Sequence, residues 1–135
     1  MKKFLILYFI CLSQNVFCQT KNNKTTIPND ENQVYNTAGI EVVPEFSGGM
    51  NEFYKFIAKN YNVPKKKPAF VKGKVYTTFI IEKDGSLNEI KILRDIGFGT
   101  GAEAIRVLNL CPKWSSGKLK GNAVRVLYAL PIQVN

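Results

Sequence analysis

The chain has 135 residues, 45% hydrophobic and 21% charged, which suits one globular domain and excludes a wholly disordered polymer. Its formal charge of +9 directs attention to anionic surfaces, although a basic surface also simply keeps a protein in solution. The absence of histidine excludes the usual catalytic triads and Cys–His dyads.

Lys2 and Lys3 precede an apolar run over residues 4–12, which Ser13, Gln14 and Asn15 interrupt. The run falls short of the roughly 20 residues of a spanning helix and has the shape of a secretory signal peptide. Residues 1–18 are therefore expected to form a leader cleaved before Gln19. Cleavage would remove two lysines and no acid, lowering the charge from +9 to +7. Export makes nucleic acid an unsuitable partner. Cys18 offers lipid attachment as an alternative, but Asn15, Val16 and Phe17 lack the small side chains such processing prefers. Cys11 and Cys18 lie in the leader, which leaves Cys111 without an internal disulfide partner.

Residues 19–42 are polar and have little to bury, so they read as a flexible tether. Beyond them Met50, Phe53, Tyr54, Ile57, Ala58 and Tyr61 recur at the spacing of one helical face, which Pro64 closes. Lys65, Lys66 and Lys67 make a basic loop, either solvated or in contact with lipid headgroups. From Gly73 the period becomes two, with Val75, Thr77, Phe79 and Ile81 on one side of a strand. Asp84-Gly85 predicts a hairpin turn into a second strand over residues 86–94, with Ile90 and Ile92 inward. Leu87 is out of phase with that pair, a mismatch a bulge would reconcile.

Thr100 and Glu103 have capping-box spacing, and Ala104, Ile105, Leu108 and Cys111 mark the face of a second helix that stops at Pro112. Trp114 directly after it reads as a core plug. In the last strand Val124, Val126, Tyr128, Leu130 and Ile132 alternate with Arg125, Leu127, Ala129 and Pro131. Proline cannot donate to a ladder, so this strand is expected at a sheet edge, offering unpaired backbone over residues 124–130. The predicted fold is α+β, a small three-stranded antiparallel sheet with two helices on one face, occupying residues 43–135. The acids Glu82, Asp84, Glu89, Asp95 and Glu103 show no spacing suited to acid–base work, and no phosphate loop or metal motif is present. No catalytic residue, cofactor or metal is expected.

Read together, several stretches resemble the C-terminal domain of the energy transducer TonB, in a short exported form of the Bacteroidetes type. They are Val43-Pro44-Glu45-Phe46-Ser47-Gly48-Gly49, Asn62-Val63-Pro64, Val71-Lys72-Gly73-Lys74-Val75-Tyr76 and Phe79-Ile80-Ile81-Glu82-Lys83-Asp84-Gly85-Ser86. Glu103-Ala104-Ile105-Arg106, Pro112-Lys113-Trp114, residues 117–121 and Leu130-Pro131-Ile132 continue the pattern. Each piece is weak alone; their order and spacing together are specific.

The resemblance implies a periplasmic or cell-envelope module of TonB-dependent transport that binds a segment of an outer-membrane receptor, or of another envelope protein, by β-augmentation. Transferred here, the candidate contact residues are Val124, Arg125, Val126, Leu127, Tyr128, Ala129 and Leu130. One alternative is a membrane-anchored transducer subunit that meets a proton-driven inner-membrane motor complex. Against it, a tether of two dozen residues reaches only about 80 Å when fully extended. The other is a structural envelope protein or lipoprotein, including a homodimer through the same edge.

Overall fold

A computed structural model describes residues 30–135. The expected leader, Cys11, Cys18 and the tether up to residue 29 lie outside the described residues.

The first helix, α1, spans Met50–Asn60 and begins at Gly49, which takes φ 87° and provides no side-chain cap. Its apolar spacing sends Phe53 and Ile57 into the core, with Met50, Phe56 and Tyr61 at the margin. Tyr54 and Ala58, expected on the buried face, are exposed. Phe56 turns inward instead, its ring 5.9 Å from that of Phe46. Tyr61 leaves the helix in extended conformation, and its hydroxyl donates to Thr100 O at 2.8 Å. Burial, then the Glu103 and Asp95 carboxylates, push that phenol up to about 12.

Strands β2, Gly73–Ile81, and β3, Leu87–Arg94, form the expected antiparallel hairpin. Glu82 N donates to Ser86 O at 2.8 Å, Gly85 takes φ 85°, and the Asp84 carboxylate accepts from Ser86 N at 2.9 Å. The out-of-phase start of β3 has its bulge: Thr78 pairs with Lys91 and Ile80 with Asn88, so β3 runs three residues against two. Glu89 absorbs the change at φ 48°.

Helix α2, Thr100–Asn109, has no capping box. Gly99 is its N-cap, and Thr100 Oγ1 donates to Gly97 O at 2.7 Å. Glu103 is otherwise engaged: its Oε1 accepts from Asn62 N at 2.9 Å, and Arg106 Nε donates to its Oε2 at 2.9 Å. Arg106 Nη2 also reaches Asn60 O at 2.7 Å, so this cluster locks the end of α1 to the start of α2.

Two short strands and one long one complete the sheet: β4 is Gly117–Leu119, β5 is Asn122–Val134, and β1, Val34–Asn36, comes from the segment expected to be a tether. The order is β1-β5-β2-β3, with β4 also on β5. β1 runs parallel to β5; the other pairings are antiparallel. The expected three-stranded antiparallel sheet is thus a mixed sheet of five strands. Its two additions are three residues each, too short to show a hydrophobic period.

One face of the sheet carries Val75, Phe79, Ile81, Leu130, Ile132 and Val134, which form a single core with Phe53 and Ile57 of α1 and Ala104, Val107 and Leu108 of α2. Both helices therefore cover the same face, as expected. Trp114 is buried at the centre, its ring centroid 5.2–5.8 Å from those of Phe46, Phe53, Phe79 and Tyr128. No helix among the described residues is long and apolar enough to cross a membrane.

Candidate partner-binding edge

β5 is antiparallel to β2 along nine residue pairs, from Gly73 opposite Val134 to Ile81 opposite Val126. Two short strands also pair with it. Asn122, Ala123 and Val124 pair with β4; Arg125, Val126 and Leu127 pair with Val34, Tyr35 and Asn36 of β1. Residues 128–134 have no second neighbour among the described residues.

This divides the seven residues expected to form an open edge. Val124 is paired with β4, and Arg125, Val126 and Leu127 are paired with β1 on the side away from β2. Tyr128, Ala129 and Leu130 carry the open backbone, which continues through Pro131, Ile132, Gln133 and Val134. The strand does not end at the proline. The alternation that marks Ile132 as inward leads directly to Val134, which is also buried.

The side chains divide by face. Val126 and Leu130 are buried core residues, and Tyr128 stacks on Phe79 at 5.7 Å with its hydroxyl 3.7 Å from Met50 Sδ. Leu127, Ala129 and Gln133 are exposed on the opposite face. In an antiparallel ladder, successive residues direct their backbone groups alternately to one neighbour and to the other. Pro131, opposite Tyr76 in unbroken register, fits without losing a bond where its missing N–H faces away from β2. By this alternation Leu127, Ala129 and Gln133 also direct their backbone groups outward.

Arg125 ties β1 to the sheet. Its Nε and Nη2 donate to the two oxygens of Glu82 at 2.8 and 3.0 Å, and its Nη1 donates to Asn32 O at 2.9 Å, just before β1. The planar guanidinium makes this fork where an ammonium could not. Hydrogen bonding from Arg125, reinforced by Asn88, holds the Glu82 carboxyl below its usual range. Arg106 acts similarly on Glu103, and the Ser86 hydroxyl and amide do so on Asp84.

These depressed carboxyls contribute stability that is present above their unfolded pKa and lost as pH falls through the folded values. Urea denaturation is therefore expected to show stability falling below about pH 4. Glu82→Gln should flatten part of that acid limb and speed amide exchange in β1. An acid limb unchanged by Glu82→Gln would remove the Arg125–Glu82 fork from this account.

Cys111 is half-buried, burial pushes its thiol up, and Trp114 Nε1 donates to its sulfur at 3.3 Å. Its setting is that of a packing residue rather than a thiolate nucleophile.

Comparison with protein-family models gives no match, and comparison with curated proteins gives none. Among solved structures, the solution structure of the Helicobacter pylori TonB C-terminal domain is similar, at 23% identity over 64% of this chain and 80% of that one, with a TM-score of 0.41. At that TM-score the functional reading stands on the geometry of β5.

Proposed function

We propose that this chain is a non-catalytic, exported binding module that captures an extended segment of an outer-membrane receptor, or of another envelope protein, on the free half of β5, in the service of TonB-dependent transport in the periplasm. The observation that carries the reading is the pairing of β1 with β5. The chain's own residues 34–36 already add to this edge as a parallel strand, and among the described residues the edge continues uncovered through residues 128–134. Backbone bonding along that stretch supplies affinity, and the exposed Leu127, Ala129 and Gln133 flank the incoming strand. A segment longer than the free stretch competes with β1 for Arg125, Val126 and Leu127.

Titration of the isotope-labelled chain with peptides from the N-terminal segments of outer-membrane receptors tests this by NMR. Amides of residues 128–134 are expected to shift first. Ala129→Pro removes one outward donor and leaves the β2 ladder intact, so it should abolish binding with the urea midpoint near that of the parent. Binding unaffected by Ala129→Pro would falsify strand addition here. Shifts that depend on protein concentration without peptide would instead assign the edge to a second copy of the chain.

A further inference from the structure

The feature that strand addition leaves unused is the end of the molecule where β2 begins and β3 and β5 finish. Between Glu52 and Glu82 the sequence has seven lysines and no acid. Lys65, Lys66, Lys72 and Lys74 are exposed, and none of them is in a salt bridge among the described residues. Within the same loop Phe70 is 85% exposed, the most exposed of the large hydrophobic residues described. Val63 and Phe98 are also exposed.

Three contacts bring these residues to one end. A Cβ built on Gly73 would lie 2.6 Å from Ile96 Cγ2, which places the loop after β3 against the start of β2. One built on Gly99 would lie 4.0 Å from Pro64 Cγ, placing the Phe98 loop beside the loop that follows α1. Gly73 in turn faces Val134 at the end of β5. Of the acids nearby, Glu103 is paired with Arg106 and accepts from Asn62 N, while Asp95 is an exposed carboxylate that accepts from Gly97 N at 3.0 Å and leaves one negative charge against the lysines.

The loop is built rather than slack. Lys67 N donates to Pro64 O and Val71 N to Pro68 O, both at 3.0 Å. Lys67 itself is buried, its ammonium donating to Pro68 O at 3.1 Å and to Val71 O. One lysine thus turns inward to brace the turn that presents Phe70, while its neighbours stay in solvent. Phe98 is held outward in a different way, at φ 58° between two glycines.

An exposed aromatic in a loop with exposed lysines before and after it complements one kind of surface, a bilayer rich in anionic phospholipid. The ammonium groups meet the headgroup charge, and the rings enter the interface that charge alone does not reach. We infer that this lysine and phenylalanine end docks the protein on an anionic membrane surface, with Phe70 as the inserted side chain.

Co-sedimentation of the full chain with vesicles of phosphatidylcholine, with and without phosphatidylglycerol, tests the inference. Binding is expected only with phosphatidylglycerol, weakening as salt rises. Lys65→Glu with Lys66→Glu should weaken it at least about tenfold, from the loss of two cationic contacts. Phe70→Ser should weaken it without altering the salt dependence. Because all three side chains are exposed, these variants are expected to unfold like the parent in urea. In a Phe70→Trp variant, brominated phosphatidylglycerol should quench the new indole while buried Trp114 stays unquenched, an internal control. No sedimentation with either vesicle overturns the inference, as does binding indifferent to Phe70→Ser, which would mean adsorption by charge alone. Retention on insoluble peptidoglycan without vesicle binding would overturn it in favour of an acidic polymer.

Discussion

Gly85→Ala is expected to destabilise the fold by about 2–5 kcal/mol, combining the left-handed backbone cost with that of overpacking. Gly85 takes φ 85° in the β2–β3 turn, and its carbonyl accepts from Trp114 N at 2.8 Å. A Cβ there would lie 1.8 Å from Trp114 O, a backbone atom that cannot swing aside. The hairpin and the Trp114 segment therefore approach through a space only hydrogen fills. Gly97→Ala separates the two effects: Gly97 takes φ 77° but has nothing within 4 Å of the added carbon. It should lose only the conformational part, about 1–2 kcal/mol. Equal losses for the two variants in urea denaturation would show that the Trp114 approach adds nothing.

The elements legible in the sequence are those whose information is local. α1 shows its apolar spacing, the hairpin shows Asp84-Gly85 between two alternating runs, and the misfit at Leu87 foretells the bulge at Glu89. Trp114 is legible as a plug because a large apolar ring after a helix needs a core to enter. β1 is not legible: Val34, Tyr35 and Asn36 join through backbone atoms, which carry no composition signal, and Arg125 holds them by reaching Asn32 O across 93 residues of sequence. The capping box fails for a related reason. Its spacing is present, but Glu103 finds Arg106 and Asn62, one of them distant in sequence. Pro131 correctly marks an edge, yet as a residue facing outward within the strand rather than as its stop.

The two proposals meet at one point of the fold. The uncovered half of β5 runs towards Val134, which faces Gly73, and Gly73 follows the lysine loop directly. If that end rests on a bilayer, the free edge lies nearest the membrane and the part occupied by β1 lies farther away. A segment emerging from a membrane protein would then meet the open stretch before the self-paired one. The arrangement also orders the competition: capture begins at residues 128–134, and displacement of β1 follows only if the segment is long enough.

Trp114→Ala is expected to destabilise by about 3–5 kcal/mol, the range for deleting a large buried aromatic. The ring meets aromatic side chains from four parts of the chain: Phe46 from the segment before α1, Phe53 from α1, Phe79 from β2 and Tyr128 from β5. Its Nε1 donates to Cys111 Sγ, so the substitution also strips a contact from the thiol. Trp114→Phe keeps part of the volume and should recover about half of the loss, since the cost follows the cavity left behind. The consequence for function runs through Tyr128, whose ring lies between Trp114 and the open part of β5. With the indole gone, Tyr128 loses one of its two aromatic neighbours, and amide exchange in residues 128–130 should quicken more than in β3, which has no residue in that aromatic cluster. Uniform quickening across the sheet would mean that Trp114 supports the whole fold equally and holds the candidate edge in no special way.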